Sequence, residues 1–171
     1  MVRSSTDARR VWVRGAFAGA AGGIFLTLMM ILMSAARGKD VWYGMKGAAA
    51  PFLGDRALEP GFDLLAVVLG LFDHLIISAV WGVLFALAFF GANRVATIVG
   101  GILWGFVVWL GMYYVVLPLV GLGWMQHDAP VGRAIMFHLL YSIAMTAAFF
   151  AYPRVFARSW RARSSRWIST A

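Results

Sequence analysis

Four long apolar runs separated by short polar stretches set the pattern of this chain. Gly15 to Ala36 contains no charge over 22 residues. Leu64 to Phe90 contains 27 residues and two ionisable groups, the adjacent Asp73 and His74. Thr97 to Val120 is again uncharged, and Val131 to Tyr152 is interrupted only by Arg133 and His138. A bilayer core takes about 20 apolar residues of helix, and each run meets that length. The pattern predicts an all-α integral membrane four-helix bundle with spans at about 15–36, 64–90, 97–120 and 131–152. A basic N-terminus, 1–14, precedes the bundle, and a basic tail, 153–171, follows it.

Glycines recur at helical spacing within two of these runs. Gly15, Gly19 and Gly23 are four apart in the first, and Gly101 and Gly105 in the third. Such strips let a second helix approach closely, and packing rather than hydrophobicity drives helix association in lipid. The first run begins after arginines and ends in small residues, as a secretory signal does. A signal core is about 7–15 residues long, so the run reads as a retained span.

The chain looks doubled. His74-Leu75-Ile76-Ile77-Ser78 in the second span is echoed by His138-Leu139-Leu140-Tyr141-Ser142 in the fourth. Each echo follows a span carrying a glycine strip, which predicts two parallel helical hairpins related by an axis along the membrane normal.

Composition sharpens the class. Of 171 residues, 62% are hydrophobic and only 13% charged, with a mean hydropathy of +0.80. Soluble domains carry about 25% charged residues. The net charge of +8 resides in arginines and lysines flanking the spans, which makes topology and lipid headgroups the relevant partners and argues against nucleic acid. With no cysteine, disulfides and thiolate chemistry are excluded. The N-terminus, the 91–96 turn and the tail hold ten Lys and Arg, the opposite side five. The positive-inside rule then places both termini in the cytoplasm of a bacterial inner membrane.

The longest connection, 37–63, balances four basic residues against four acidic ones. Asp40 is expected to cap a helix running to about Phe52, with Trp42 and Tyr43 at headgroup level. In the tail, Phe156, Trp160 and Trp167 share one helical face, with Arg154, Arg158 and Arg161 on another and Arg163 and Arg166 following. That arrangement predicts a helix lying on anionic headgroups.

Candidate chemistry gathers in the second and fourth spans. At 1.5 Å per residue, His74 and His138 lie within about 5 Å of one depth, in the half of the bundle remote from the termini. As a pair they could ligate haem b, or hold copper or zinc with Met112, Met125 or His127 near. Alternatively each imidazole bonds Ser78 or Ser142 one turn on, or meets its counterpart, as helix-joining glue. Asp73 points about 100° away from His74. It either pairs with Arg133 or is protonated, and a His/Asp pair could relay protons or take a cation. No hydrolase constellation emerges, because neither serine sits on an exposing turn, so no enzyme is expected.

The glycine-led first span, WGVLFAL at 81–87, GGILWGFVVWLGMYYVVLPLVGLG at 100–123 and HLLYS at 138–142 together resemble a family of small bacterial four-span inner-membrane proteins with a domain of unknown function. The resemblance covers about Gly15 to Tyr152 and implies the four-span architecture without a reaction or ligand. Ser142 stands where the family pattern has glycine. The expected role is a structural or accessory subunit docking on other membrane subunits or on itself. A haem redox protein using His74 and His138, and a small transporter or channel using Asp73, His74 and Arg133, are the alternatives.

Overall fold

A computed structural model describes the backbone of residues 5–127 and 130–168, with side chains over 9–127 and 130–152. Helix α1 spans Ser5–Ala36. The following connection holds α2 (Tyr43–Gly47), α3 (Ala50–Leu53) and a 3-10 turn, Gly54–Leu58. Helix α4 (Leu64–Ala88) leads through a tight turn to α5 (Arg94–Gly111). That helix continues through a π-helical turn, Met112–Val116, into α6 (Leu117–Leu119). A 3-10 turn, Gly123–His127, precedes α7 (Val131–Ile168). The described residues contain no strand, and four segments are long and apolar enough to cross a membrane: Arg9–Ala36, Leu64–Ala88, Arg94–Leu119 and Val131–Tyr152. The fold is an all-α four-helix bundle.

Boundaries shift where capping chemistry decides them. The carboxylate of Asp63 accepts from Ala66 N–H at 3.1 Å and starts α4, and Asn93 caps α5 through Ala96 N–H at 2.9 Å, three residues before the expected start. The first helix begins well inside the basic N-terminal segment, and the backbone of α7 runs on past 152. The arginine and aromatic faces expected of the tail, Arg154, Arg158, Arg161, Arg163 and Arg166 included, lie outside the described side chains.

Around the bundle the order of close packing is α4–α1–α7–α5. The glycine strips make the seams. A methyl at Gly15 would lie 2.7 Å from the carbonyl oxygen of Gly82, and Gly19 and Gly23 rest on Ser78. In the second hairpin, Gly101 meets Thr146, and a methyl at Gly105 would lie 2.9 Å from the Cα of Leu139. Both strips are therefore consumed inside the chain. Helices α4 and α5, though consecutive, barely approach one another along their backbones. Trp81, Phe85 and Phe89 meet Trp104 edge-on across the space between them, with ring centroids 5.8–6.3 Å apart.

Two prolines leave carbonyls short of donors, and in each case a distant side chain makes good the loss. Proline at 153 has no N–H to give the carbonyl of Phe149 one helical turn earlier. Arg14 Nε on α1 donates to that oxygen at 2.8 Å, with its guanidinium 3.7 Å from the centroid of the Phe149 ring. In the π-turn, Leu117 N–H bonds Met112 O, five residues back. The next donor in this register would be Pro118, which has no N–H to give, and Gln126 Nε2 donates to the carbonyl of Tyr113. A backbone carbonyl in an apolar span must be satisfied by the protein itself, and these two side chains do so.

The 37–63 connection differs from its expected form. Asp40 does not cap a helix running to Phe52. Its carboxylate accepts from Trp42 N–H at 2.8 Å and Gly61 N–H at 3.0 Å, and lies 3.6 Å from Lys46 Nζ. Lys46 is wholly buried, donating to the carbonyls of Glu59 and, at 2.6 Å, Gly61. The segment is folded about a lysine because a buried ammonium needs several acceptors, and only a looped backbone supplies them. Gly70 of α4 carries this cap, its missing side chain admitting the carbonyl of Met45.

Candidate functional site

Separation of α4 from α5 leaves a cavity of about 640 Å³ in the half of the bundle next to the 37–63 cap. Its floor is apolar and aromatic, formed by Leu26, Trp81, Val108 and Tyr141. Higher up, Met30, His74, Met112, Phe137 and His138 face it, with Tyr113 of the π-turn. At the mouth stand Ser34, Arg37, Lys39, Asp40, Tyr43 and Arg133. From Arg133 to Tyr141 is eight residues of α7, so the cavity is about 12 Å deep.

Each histidine is placed by its backbone partner. His74 Nε2 lies 3.2 Å from the carbonyl oxygen of Gly23 on α1. A carbonyl can only accept, so Nε2 carries a proton in this bond. His138 Nδ1 lies 2.7 Å from the carbonyl of Ala134, one turn back on its own helix, which leaves Nε2 without a partner among the described residues. Its ring meets Tyr113 edge-on at 5.8 Å. The two imidazoles thus line one cavity at similar depth, as their positions predict. They do not bond Ser78 and Ser142 as expected, because the carbonyls lie closer. A haem held through both Nε2 atoms would first have to break the bond from His74 to α1. No cluster of three or more His, Asp or Glu that could hold a metal ion occurs among the described residues.

The serines belong to packing. Ser78 is buried under Gly19 and Gly23, and its carbonyl accepts from the Tyr141 hydroxyl at 2.6 Å, so α1, α4 and α7 meet at this residue. Ser142 is wholly buried, and its hydroxyl has no partner among the described residues.

Asp73 and Arg133 do not pair. Arg133 stands at the cavity mouth, whereas Asp73 is not among the cavity residues and forms no ion pair or hydrogen bond within the described residues. The 100° step that turns His74 into the cavity turns its neighbour out of it. Met112 and Met125 do line the cavity, with Met112 Sδ accepting from Trp81 Nε1 at 3.2 Å, while His127 is exposed and outside it.

Sequence reasoning missed four residues that matter here. Lys46 read as one partner in a balanced loop, and nothing local marks it as buried. Tyr141 lay within the repeated motif, where a hydroxyl among apolar residues was a usable signal. Proline at 118 and at 153 foretold two orphan carbonyls, but not that Gln126 and Arg14 would serve them.

The chain matches no family model, no curated protein and no solved structure, so the site is read from its own geometry.

Proposed function

We propose that this is a non-enzymatic, four-span protein of the bacterial inner membrane that holds one amphiphilic molecule in the cavity between α4, α5 and the rest of the bundle. The single observation behind this reading is the gradient in the cavity wall, from an apolar aromatic floor to a charged mouth. Ligand sites of about 300–1,000 Å³ are mostly apolar with a few placed polar groups, and this cavity has that size and composition. Three methionines in the wall, Met30, Met112 and Met125, suit a flexible apolar guest. The lysine and arginine distribution supports cytoplasmic termini, with the mouth on the outer side. Catalysis is not part of the proposal, since neither serine hydroxyl is activated by its neighbouring histidine.

The test is photolabelling with a lipid carrying a diazirine near the end of its chain. Expected products map to α4 and α5 peptides containing Trp81 and Met112. Labelling confined to lipid-exposed faces such as Phe72 and Val107 would remove the cavity from the reading.

A second reading, an accessory subunit docking on a larger membrane complex, is favoured by a shallow apolar groove between α1 and α7, where Ala21, Ala144 and Ala147 face lipid. Native mass analysis in mild detergent distinguishes it, because a lone monomer would count against it.

A further inference from the structure

We infer that the occupant of the cavity is an outer-leaflet lipid with a net-anionic phosphate headgroup, held at the mouth by Arg37, Lys39 and Arg133. This rests on the amphiphile reading above and names the chemistry of the guest. Three cations stand at the mouth against one carboxylate, Asp40. That carboxylate is already committed to Lys46 and to two backbone N–H groups. Among the described residues the mouth therefore carries uncompensated positive charge. Arg133 decides the matter: it is half-buried in the first turn of α7 and has no carboxylate or carbonyl partner among the described residues. Arg37 is fixed through Nε to the carbonyl of Met33 at 3.0 Å, which leaves its terminal N–H groups to an outside acceptor. Guanidinium groups take phosphate oxygens in pairs, so two arginines and a lysine form a cradle for such a headgroup.

Polarity along the cavity runs in the same direction as polarity across a leaflet. A lipid with its phosphate at the interface can lower one chain about 12 Å to the floor at Trp81 and Tyr141, within the roughly 15 Å half-thickness of a bilayer core. It does not have to invert. Its route is the seam between α4 and α5, which side chains alone hold apart.

The experiment uses the full chain, delipidated and then reloaded from mixed micelles containing phosphatidylglycerol or phosphatidylcholine with identical chains. Native mass spectrometry reads the retained lipid, and a diazirine on the chain reads its place. Phosphatidylglycerol is expected to be retained roughly tenfold better, since each basic side chain near a lipid surface contributes about 1 kcal/mol. Arg133→Gln with Lys39→Gln should bring that ratio to within about twofold, with phosphatidylglycerol losing far more retention than phosphatidylcholine. Neither substituted side chain has an ion-pair partner among the described residues, so folding is not at stake. Equal retention of the two lipids by the unaltered chain overturns the headgroup inference and leaves the amphiphile reading standing. Retention of neither overturns that reading itself. A preference that survives in the double variant, with label on 153–171 peptides, assigns anion binding to the basic tail and overturns the inference. So does full displacement of the lipid by soluble glycerol phosphate.

Discussion

The two long seams that join the hairpins, α1 against α7 and α4 against α5, are built from corresponding positions and come out opposite. Aligning Gly19 with Gly101 and His74 with His138 pairs Gly22 with Trp104, Met145 with Trp81 and Tyr141 with Ile77. At the first seam a methyl on Gly22 would be 3.0 Å from the Cβ of Met145, so the backbones touch. At the second, Trp104 and Trp81 meet edge-on at 6.3 Å and keep the helices apart. A strict two-fold repeat would have made both seams alike. Tryptophan in place of Gly22 on one helix and of Met145 on the other accompanies the change from a closed side of the bundle to one with a cavity, because interaxial distance follows side-chain size.

The comparison can be broken from the closed side first. Gly22→Trp should drive α1 from α7 and destabilise the bundle by about 3 kcal/mol, the upper range of overpacking. It also strains the Arg14 bond to Phe149, whose carbonyl then faces lipid. Equilibrium unfolding in detergent checks this, and unchanged stability would mean that the seam is not close-packed.

The open side offers the converse. Trp104→Gly should let α5 settle against α4, shortening their separation by about 2 Å and shrinking the cavity. Because the chain has no cysteine, spin labels on cysteines introduced at Leu84 and Leu103, both exposed, would report that distance uniquely. Retained lipid should fall in parallel. An unaltered distance would show that α4 and α5 are held apart by something other than the tryptophans.

A smaller effect tests the 37–63 cap beside the open side. Burial acts to raise the carboxyl of Asp40, but hydrogen bonds from Trp42 and Gly61 N–H and the nearby Lys46 ammonium outweigh it and hold the group below its ordinary value. A lowered folded value means that the stabilisation is complete above the unfolded value and is lost as pH falls through the folded one. Acidification below about pH 4 should therefore loosen the 37–63 cap while the bundle persists. Amide exchange at Trp42 and Gly61 should rise there first, and uniform protection across the cap at low pH would contradict the role given to Asp40.

Much of the architecture was legible in one dimension. In a membrane, length and hydropathy determine which segments span, since a backbone in lipid must satisfy itself as helix. Those two properties located the four long apolar helices, with the first starting six residues earlier than expected. Glycine at every fourth position marked the α1–α4 and α5–α7 seams, and the histidine echo placed both imidazoles at one depth. What failed was partnership. Sequence spacing states which face a residue shares within its own helix, and says nothing of which atom on another helix arrives there. So the serine partners offered for the histidines give way to the carbonyls of Gly23 and Ala134, and of the two states offered for Asp73 the pairing with Arg133 does not occur, since that arginine faces the cavity.

The sequence by itself therefore determined the membrane class, the four spans, the close hairpins and the level at which polar groups sit. Only the tertiary structure decided that α4 and α5 stand apart, that a cavity opens between them, and that Arg37, Lys39 and Arg133 share its mouth. The physical reason is that span formation is a local property of apolar length and backbone satisfaction. A cavity is a difference between two non-local packings, set where a glycine on one helix and a tryptophan on another happen to meet their partners.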